Sequence, residues 1–219
     1  MNENEKSRQR KKLARIFARP PVLLTERLLL RGLRSSDAPD MFEYACREDI
    51  VRFLPWSAHP DEKYTKSWLE FIAGKYRDGS YYDWAVVMKS EENSGEPKMI
   101  GTCGFTSIDL KNRSAEIGYV INPVFRGRGY APEAARAVLD FAFEKLSLKR
   151  VEARYVIGNS ASRSVMDKLG MKFEGVMRQS VFLKDSFVDI GVCSVLDEEY
   201  FSMNQNDTDG RRLRPLVNI

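Results

Sequence analysis

One stretch in the middle of the chain passes from an apolar strand to a glycine-bearing arginine turn and then to a helix. It runs from Ala115 to Glu133 with the sequence AEIGYVINPVFRGRGYAPE. Glycines let backbone N–H groups turn toward an anion, and a helix N-terminus behind them adds roughly half a unit of positive charge. Pro132 suits the first turn of that helix, where its missing N–H would have no partner. The stretch therefore predicts a binding site for a phosphate-carrying cofactor.

Two common phosphate-binding motifs are excluded by the residues of the turn. No Lys-Ser or Lys-Thr pair follows Gly129, so the turn is not the loop that binds nucleoside triphosphates. The segment from Arg126 to Ala131 also lacks the three-glycine spacing of dinucleotide-binding folds. Nucleoside triphosphates and NAD are therefore disfavoured as ligands.

Length and charge predict one domain with a short segment at each end. The chain has 219 residues, 43% of them hydrophobic, which is enough for a single domain with a substantial core. Residues 1–19 hold seven Lys and Arg against two Glu, and Pro20-Pro21 follows them. We predict a basic N-terminal tail over 1–19, a domain over 20–202 and a C-terminal tail over 203–219. The N-terminal tail is expected to be disordered or a lead-in helix, and the helical spacing of Leu13, Ile16 and Phe17 leaves a short amphipathic helix on an acidic surface as the alternative. The net charge of the predicted domain is near −2, which argues against a general nucleic-acid-binding surface.

Several chemistries are excluded by composition. Cys46, Cys103 and Cys193 are widely spaced and form no metal-ligand pattern, which predicts reduced thiols in the cytoplasm and no metal site. No apolar run approaches the roughly 20 residues needed to span a bilayer. His59 is the only histidine, which excludes Ser-His-Asp triads, Cys-His pairs and multi-histidine metal centres. Catalysis must then depend on carboxylates, hydroxyls, amides and the backbone.

The periodicity of apolar residues predicts alternating strands and helices. Strands are expected at 22–31, 81–88, 99–108, 115–121 and 150–157, followed by a hairpin of 173–183 with 187–196. Helices are expected at about 36–47, 61–77, 132–146 and 160–169. Residues 90–95 are polar and read as the loop of a hairpin between the second and third strands. This order of strands and helices indicates an α/β (α+β) domain.

Several short motifs, taken in order, resemble one enzyme family. The segment Arg126-x-x-Gly129-x-Ala131 resembles the pyrophosphate loop of the GNAT acyl-CoA N-acyltransferases. Further motifs resemble the branch that contains the ribosomal-protein N-terminal acetyltransferases: TERLLLR from Thr25, AEIGY from Ala115, Asn159-x-x-Ser162, KLGM from Lys168 and Glu174-Gly175. The resemblance covers about residues 22–200.

The resemblance implies the GNAT fold, acetyl-CoA as acetyl donor and an amine as acceptor. In that fold a mixed, mostly antiparallel sheet is flanked by helices, and two parallel strands, here near 115–122 and 150–157, splay apart to receive the pantetheine arm of the cofactor. Unpaired backbone groups in such a gap need partners, which an amide-containing arm supplies. The resemblance assigns cofactor binding to Tyr119, Val120, Ile121, Arg126, Gly127, Arg128, Gly129, Tyr130, Ala131 and Asn159.

Two residues are candidates for proton transfer. Glu116 lies on the strand expected to polarise the acetyl carbonyl and is the candidate general base. The alternative is that Glu116 is a surface glutamate paired across the sheet, with no catalytic role. Many GNAT enzymes carry a tyrosine seven residues after the asparagine matched by Asn159, and here that position is Met166. In the branch that this chain resembles, the serine of the motif is the proposed acid, which falls on Ser162. Ser162 and Asn159 are also ordinary residues for the first turn of a helix.

The sequence thus predicts an acetyl-CoA-dependent N-acetyltransferase that acts by direct amine attack in a ternary complex, with no metal. The favoured acceptor is the N-terminal α-amine of a (ribosomal) protein; the alternatives are a small-molecule amine or a non-catalytic acyl-CoA-binding scaffold. We expect a cytoplasmic monomer or homodimer without membrane insertion, and ribosome or nucleic-acid contact only through the basic N-terminal residues. Five aromatic residues could line the acceptor pocket or belong to the core: Trp56, Trp68, Tyr81, Tyr82 and Trp84.

Overall fold

A computed structural model describes residues 3–89 and 97–206. Its helices are α1 (Glu3–Phe17), α2 (Ala38–Ala45), α3 (Glu48–Val51), α4 (Glu62–Arg77), α5 (Tyr130–Asp140), α6 (Ser160–Lys168) and α7 (Asp197–Asn206). Short 3-10 turns at Ser35–Asp37 and Pro123–Phe125 precede α2 and α5, and a π-helical turn at Phe141–Lys145 continues α5. The predicted hairpin loop at 90–95 lies outside the described residues.

Eight strands form one sheet. They are β1 (Leu23–Leu24), β2 (Leu28–Arg31), β3 (Tyr82–Met88), β4 (Lys98–Asp109), β5 (Ser114–Ile121), β6 (Arg150–Val156), β7 (Lys172–Leu183) and β8 (Ser186–Leu196). Their order across the sheet is β1-β2-β3-β4-β5-β6-β8-β7. Every neighbouring pair is antiparallel except β5 and β6, which are parallel. The predicted mixed, mostly antiparallel sheet is confirmed.

The parallel pair separates partway along its length. Hydrogen-bonded pairing joins Ser114–Ile117 of β5 to Arg150–Ala153 of β6 and then stops. Strand β5 continues to Ile121 and remains paired with β4 on its other side, while β6 continues to Val156 and remains paired with β8. The last four residues of β5 therefore present one unpaired edge toward β6, as the splayed-strand prediction requires.

Helices cover both faces of the sheet because successive residues of a strand point in opposite directions. On β3, Trp84, Val86 and Met88 belong to a core that includes residues of α1 and α5. Ala85 and Val87 belong to a second core on the opposite face, against α2 and α4. The strand is buried on both sides, which explains its nearly continuous apolar sequence.

The basic N-terminal segment forms α1, and this helix packs into the main core. Leu13 and Phe17 are completely buried, and the Phe17 ring contacts Trp84 and Phe141 edge-on with centroids 5.5 and 6.1 Å away. Gly79 lies so close to Ala14 that a Cβ at this glycine would fall 2.5 Å from the Ala14 nitrogen. Residues of the predicted N-terminal tail therefore contribute to the core. That residues 20–202 form a domain on their own stays a prediction.

Three further details were not predicted. The expected single strand at 22–31 is broken into β1 and β2 by a turn, in which the Thr25 hydroxyl accepts a hydrogen bond from Leu28 N–H at 2.9 Å. Helix α3 was not expected, and α7 continues past the predicted boundary at residue 203. Residues 207–219 of the predicted C-terminal tail lie outside the described residues. Among the described helices, none is long and apolar enough to cross a membrane.

Candidate active site

A cavity of about 880 Å³ lies where β5 and β6 separate. Its wall comprises the end of β5, the loop before α5, the end of β6 and the start of α6. The loop after α3 and the β7–β8 hairpin close the opposite side, through residues that include Phe53, Pro55, Met177, Val181 and Leu183. The splayed strands, the predicted phosphate loop and both predicted proton-transfer residues therefore share one cavity.

The loop before α5 depends on two glycines with left-handed backbone. Gly127 has φ of +77° and Gly129, the N-cap of α5, has φ of +83°. An added Cβ at Gly127 would meet nothing within 4 Å, so the loop keeps an open concave surface there. Behind it, α5 presents backbone N–H groups that have no partner within the helix. This arrangement suits an anion such as a diphosphate.

The other predicted loop residues are placed around the same turn. Arg126 bends back so that its Nε donates to the Ile121 carbonyl at 3.1 Å, which fixes the end of β5 to the loop. Arg128 is exposed, and its guanidinium lies 6.0 Å from the Phe125 ring centroid. Tyr130 is buried and also lines the cavity.

An ion pair from the N-terminal hairpin supports the loop. The Arg27 guanidinium contacts Glu133, in the first turn of α5, with N–O distances of 2.6 and 2.7 Å. Glu133 also accepts from the Arg27 backbone N–H at 2.9 Å and from the Thr25 hydroxyl at 2.6 Å. Arg27 Nη1 donates to the Arg128 carbonyl at 3.0 Å. Sequence reasoning found the Thr-Glu-Arg motif but assigned it no role in holding the loop.

Tyr119 and Ser162 both line the cavity and are in contact. The Tyr119 hydroxyl donates to the Ser162 carbonyl at 3.0 Å and lies 3.3 Å from Ser162 Oγ. Burial raises the pKa of Tyr119 well above its usual range, so the phenol stays protonated at neutral pH. Sequence reasoning gave Tyr119 only a backbone role, because nothing in the chain indicates which helix packs over its side chain.

Asn159 caps helix α6. Its side-chain oxygen accepts from the Ser162 backbone N–H at 3.2 Å, the bond expected of an N-cap asparagine. Both residues line the cavity, so the cap also sets the position of Ser162 in its wall. Met166, one turn further along, is buried and lines the same wall, where it offers no hydroxyl.

Glu116 is paired across the sheet and also reaches the cavity. Its Oε2 lies 3.3 Å from Arg154 Nε on β6, and Arg154 is shared with Glu152, whose Oε1 lies 2.8 Å from Arg154 Nη2. The Glu116 side chain keeps 23% of its surface exposed, and the residue lines the cavity wall. Glu116 therefore forms the cross-sheet ion pair, and its carboxylate remains accessible from the cavity.

The aromatic candidates lie elsewhere. Trp84 is buried in the main core, where its Nε1 donates to the Pro21 carbonyl at 2.7 Å. Trp56, Trp68 and Tyr81 pack against the second core. None of these residues, nor Tyr82, is among the described residues that line the cavity. In the described part of the chain, no three His, Cys, Asp or Glu side chains are grouped to hold a metal ion.

Comparisons with known proteins agree with this architecture. The family described as Acetyltransferase (GNAT) domain matches residues 27–172. The ribosomal-protein-serine acetyltransferase of Escherichia coli is 29% identical over 174 residues, which cover 78% of this chain and 93% of that protein. The spermidine N(1)-acetyltransferase of Vibrio cholerae is 22% identical over 182 residues, covering 83% of this chain and all of that protein.

The fold is likewise that of solved acetyltransferases. A GNAT-family acetyltransferase from Bacillus anthracis superposes with a TM-score of 0.71 at 27% identity, over 81% of this chain and 99% of that one. The chain therefore belongs to the GNAT acetyltransferase family, and it is an N-acetyltransferase. Members of this family generally use acetyl-CoA as the acetyl donor.

Proposed function

We propose that this enzyme transfers an acetyl group from acetyl-CoA to the N-terminal α-amine of a ribosomal protein, by direct attack within a ternary complex. The observation that carries the proposal is the unpaired edge of β5 from Gly118 to Ile121, which opens into the cavity beside the glycine turn at 127–129. An edge followed by an anion-binding helix terminus matches a ligand that has amides at one end and a diphosphate at the other.

The residues present fit acetyl-CoA, which supplies the activated acyl group and the diphosphate when bound. The open concave backbone at Gly127 and the start of α5 would hold the diphosphate. The free edge of Tyr119, Val120 and Ile121 would bond the amide-containing arm. A backbone N–H aimed at a developing oxyanion is typically worth about 10²- to 10³-fold in rate. Most of the catalytic effect then comes from the backbone.

Glu116 serves as the general base for the attacking amine. An α-amine has a pKa near 8, so a modest base working directly or through one water suffices to supply the neutral nucleophile. The Arg154 contact at 3.3 Å holds the carboxylate at the wall of the cavity. Glu116 keeps access to the cavity because Arg154 divides its contacts between Glu116 and Glu152.

Ser162 donates a proton to the departing thiolate. The Asn159 side chain accepts from the Ser162 backbone N–H, and the Tyr119 hydroxyl lies 3.3 Å from Ser162 Oγ. Tyr119 acts here as a positioning residue. Met166 offers no hydroxyl, and although Ser160 and Ser164 of α6 also line the cavity, Ser162 is the α6 serine whose hydroxyl lies beside Tyr119.

The acceptor assignment is supported by the relative from Escherichia coli, which is a ribosomal-protein-serine acetyltransferase matched over most of both chains. A small-molecule amine is the second candidate, supported by the spermidine N(1)-acetyltransferase of Vibrio cholerae. A non-catalytic scaffold is disfavoured by the coexistence of Glu116, Ser162 and Tyr119 in one cavity.

Release of the CoA thiol in the presence of defined amines tests these alternatives. The panel comprises a peptide with a free N-terminal Ser or Ala, the same peptide with a blocked N-terminus and an internal lysine, and spermidine. We expect turnover with the free N-terminus alone. Turnover with spermidine alone would transfer the assignment to small amines, and binding of CoA without turnover of any acceptor would restore the scaffold alternative.

A further inference from the structure

Helix α1 presents a one-sided row of positive charge. Arg8, Lys11, Lys12 and Arg15 follow the spacing i, i+3, i+4 and i+7, and all four are exposed. Residues with this spacing share one face of a helix. None of the four forms a salt bridge within the described part of the chain. We call these four residues the basic row.

The helix is held so that the basic row has a fixed direction. Leu13 and Phe17, on the opposite face, are buried in the main core. Gln9 Nε2 donates to the Ile108 carbonyl at 2.6 Å, and Arg10 forms a 3.1 Å ion pair with Asp78. These contacts fix both the position of the helix and its rotation about its own axis.

We propose that the basic row docks this enzyme on the phosphate backbone of an RNA helix. At 1.5 Å per residue, the row is about 10 Å long, which is about the length of three phosphate steps along one strand of a duplex. Four cations over that length match the charge density of such a strand. The choice of RNA as the source of phosphates rests on the proposed function, because a ribosomal protein that accepts the acetyl group is surrounded by ribosomal RNA.

Two other partners are disfavoured by the same residues. A membrane-binding amphipathic helix inserts its apolar face, but here Leu13 and Phe17 already lie in the core. Single-stranded nucleic acid is bound largely by stacking on aromatic rings, and the basic row contains none. Residues 20–202 carry a net charge near −2, so the body as a whole does not attract a polyanion.

Fluorescence anisotropy with a labelled 20-base-pair RNA duplex tests the proposal, with the full-length chain and no acceptor or acetyl-CoA present. We expect the affinity to fall about 100-fold between 50 and 200 mM salt, as four phosphate contacts require. The variant R8Q/K11Q/K12Q/R15Q should lose that binding and most of the salt slope. The matched control K63Q/K66Q/K145Q/R178Q removes four cations elsewhere and should bind like the wild type.

Several outcomes would overturn the proposal: no binding by the wild type, equal loss in both quadruple variants, or binding to anionic vesicles or an acidic peptide in preference to the duplex. A DNA duplex bound at least tenfold more tightly than RNA would overturn the choice of partner. Circular dichroism melting of both variants ensures that a loss of binding is not a loss of fold. Thiol release with a short peptide reports on the proposed function separately, since the basic row lies outside the cavity.

Discussion

The Tyr119 hydroxyl lies 3.3 Å from Ser162 Oγ, joining a strand residue to a helix residue 43 positions later in the chain. Tyr119 lies in the part of β5 that is no longer paired with β6, so the contact with Ser162 is next to the unpaired edge of β5. This placement gives the cavity a buried, protonated phenol next to its candidate acid.

The first prediction concerns this pair. Ser162→Ala should lower kcat by about 10²-fold with little change in the acetyl-CoA KM, since it removes the proton donor. Tyr119→Phe should lower kcat by about 3- to 10-fold, the value of one positioning hydrogen bond. In the double variant, steady-state kinetics should show no additional loss from Tyr119→Phe. Fully multiplicative losses would mean that Tyr119 acts independently of Ser162.

The second prediction concerns Glu116. Glu116→Gln should lower kcat/KM by about 10²-fold for a peptide acceptor at pH 7, with recovery toward high pH as more amine is neutral. Glu152→Gln is the matched control, because it also removes a partner of Arg154. A kcat/KM profile against pH compares the two. Equal losses in both variants would assign Glu116 to the cross-sheet ion pair alone.

The third prediction concerns the loop glycine. Gly129→Val should raise the acetyl-CoA KM by about tenfold or more, because a β-branched residue disfavours φ of +83° and obstructs approach to the backbone. Gly74→Ala, within helix α4, should leave the KM unchanged. Initial-rate kinetics at varied acetyl-CoA concentration measures both. An unaltered KM in Gly129→Val would contradict the diphosphate assignment.

The fourth prediction tests the place of α1 in the core. Phe17→Ala should lower the free energy of unfolding by about 3–5 kcal/mol, the usual cost of removing a buried phenylalanine ring. Phe71→Ala is the control, because that ring is 59% exposed and its loss should cost less than about 1 kcal/mol. Urea denaturation measures both. A small effect of Phe17→Ala would restore α1 to a peripheral tail.

The fifth prediction concerns pH and stability. Burial raises the pKa of Asp83 from 3.8 to about 7. The folded chain therefore binds a proton between these values that the unfolded chain has lost, and stability falls as pH rises from about 4 to 7. Asp83→Asn should remove this pH-dependent contribution, which is on the order of 4 kcal/mol at most. The stability of the variant relative to the wild type should therefore be higher at pH 8 than at pH 4. Thermal melts of both proteins across this range measure the difference.

Much of the fold could be predicted because its signals are local. The helix at Glu62–Arg77 and the strand at Ser114–Ile121 were predicted to within a residue or two, since each has a clear apolar period and an end signal. Gly127 and Gly129 were predicted to turn backbone N–H groups toward an anion, and the structure adds that both have a left-handed backbone. The break between β1 and β2 was not, because Leu23–Arg31 is uniformly compatible with a strand and only the Thr25 side chain marks the turn.

The predicted site residues are brought together, but their contacts depend on distant packing. The family resemblance indicated Glu116 and Ser162, while their contacts with Arg154 and Tyr119 are set by strand pairing and by the packing of α6. The role of α1 was underestimated because two buried apolar residues among many cations give a weak periodic signal. Whether these residues perform the chemistry assigned to them stays a prediction.

The bond between Arg27 and Glu133 closes a loop of 106 residues, and the same guanidinium holds the carbonyl of Arg128. The turn before α5 is therefore held by a part of the chain that is synthesised long before it. We expect a newly made chain to form the proposed diphosphate site only after these two parts of the chain have met. We therefore expect chains that lack either part to bind acetyl-CoA more weakly than the complete fold.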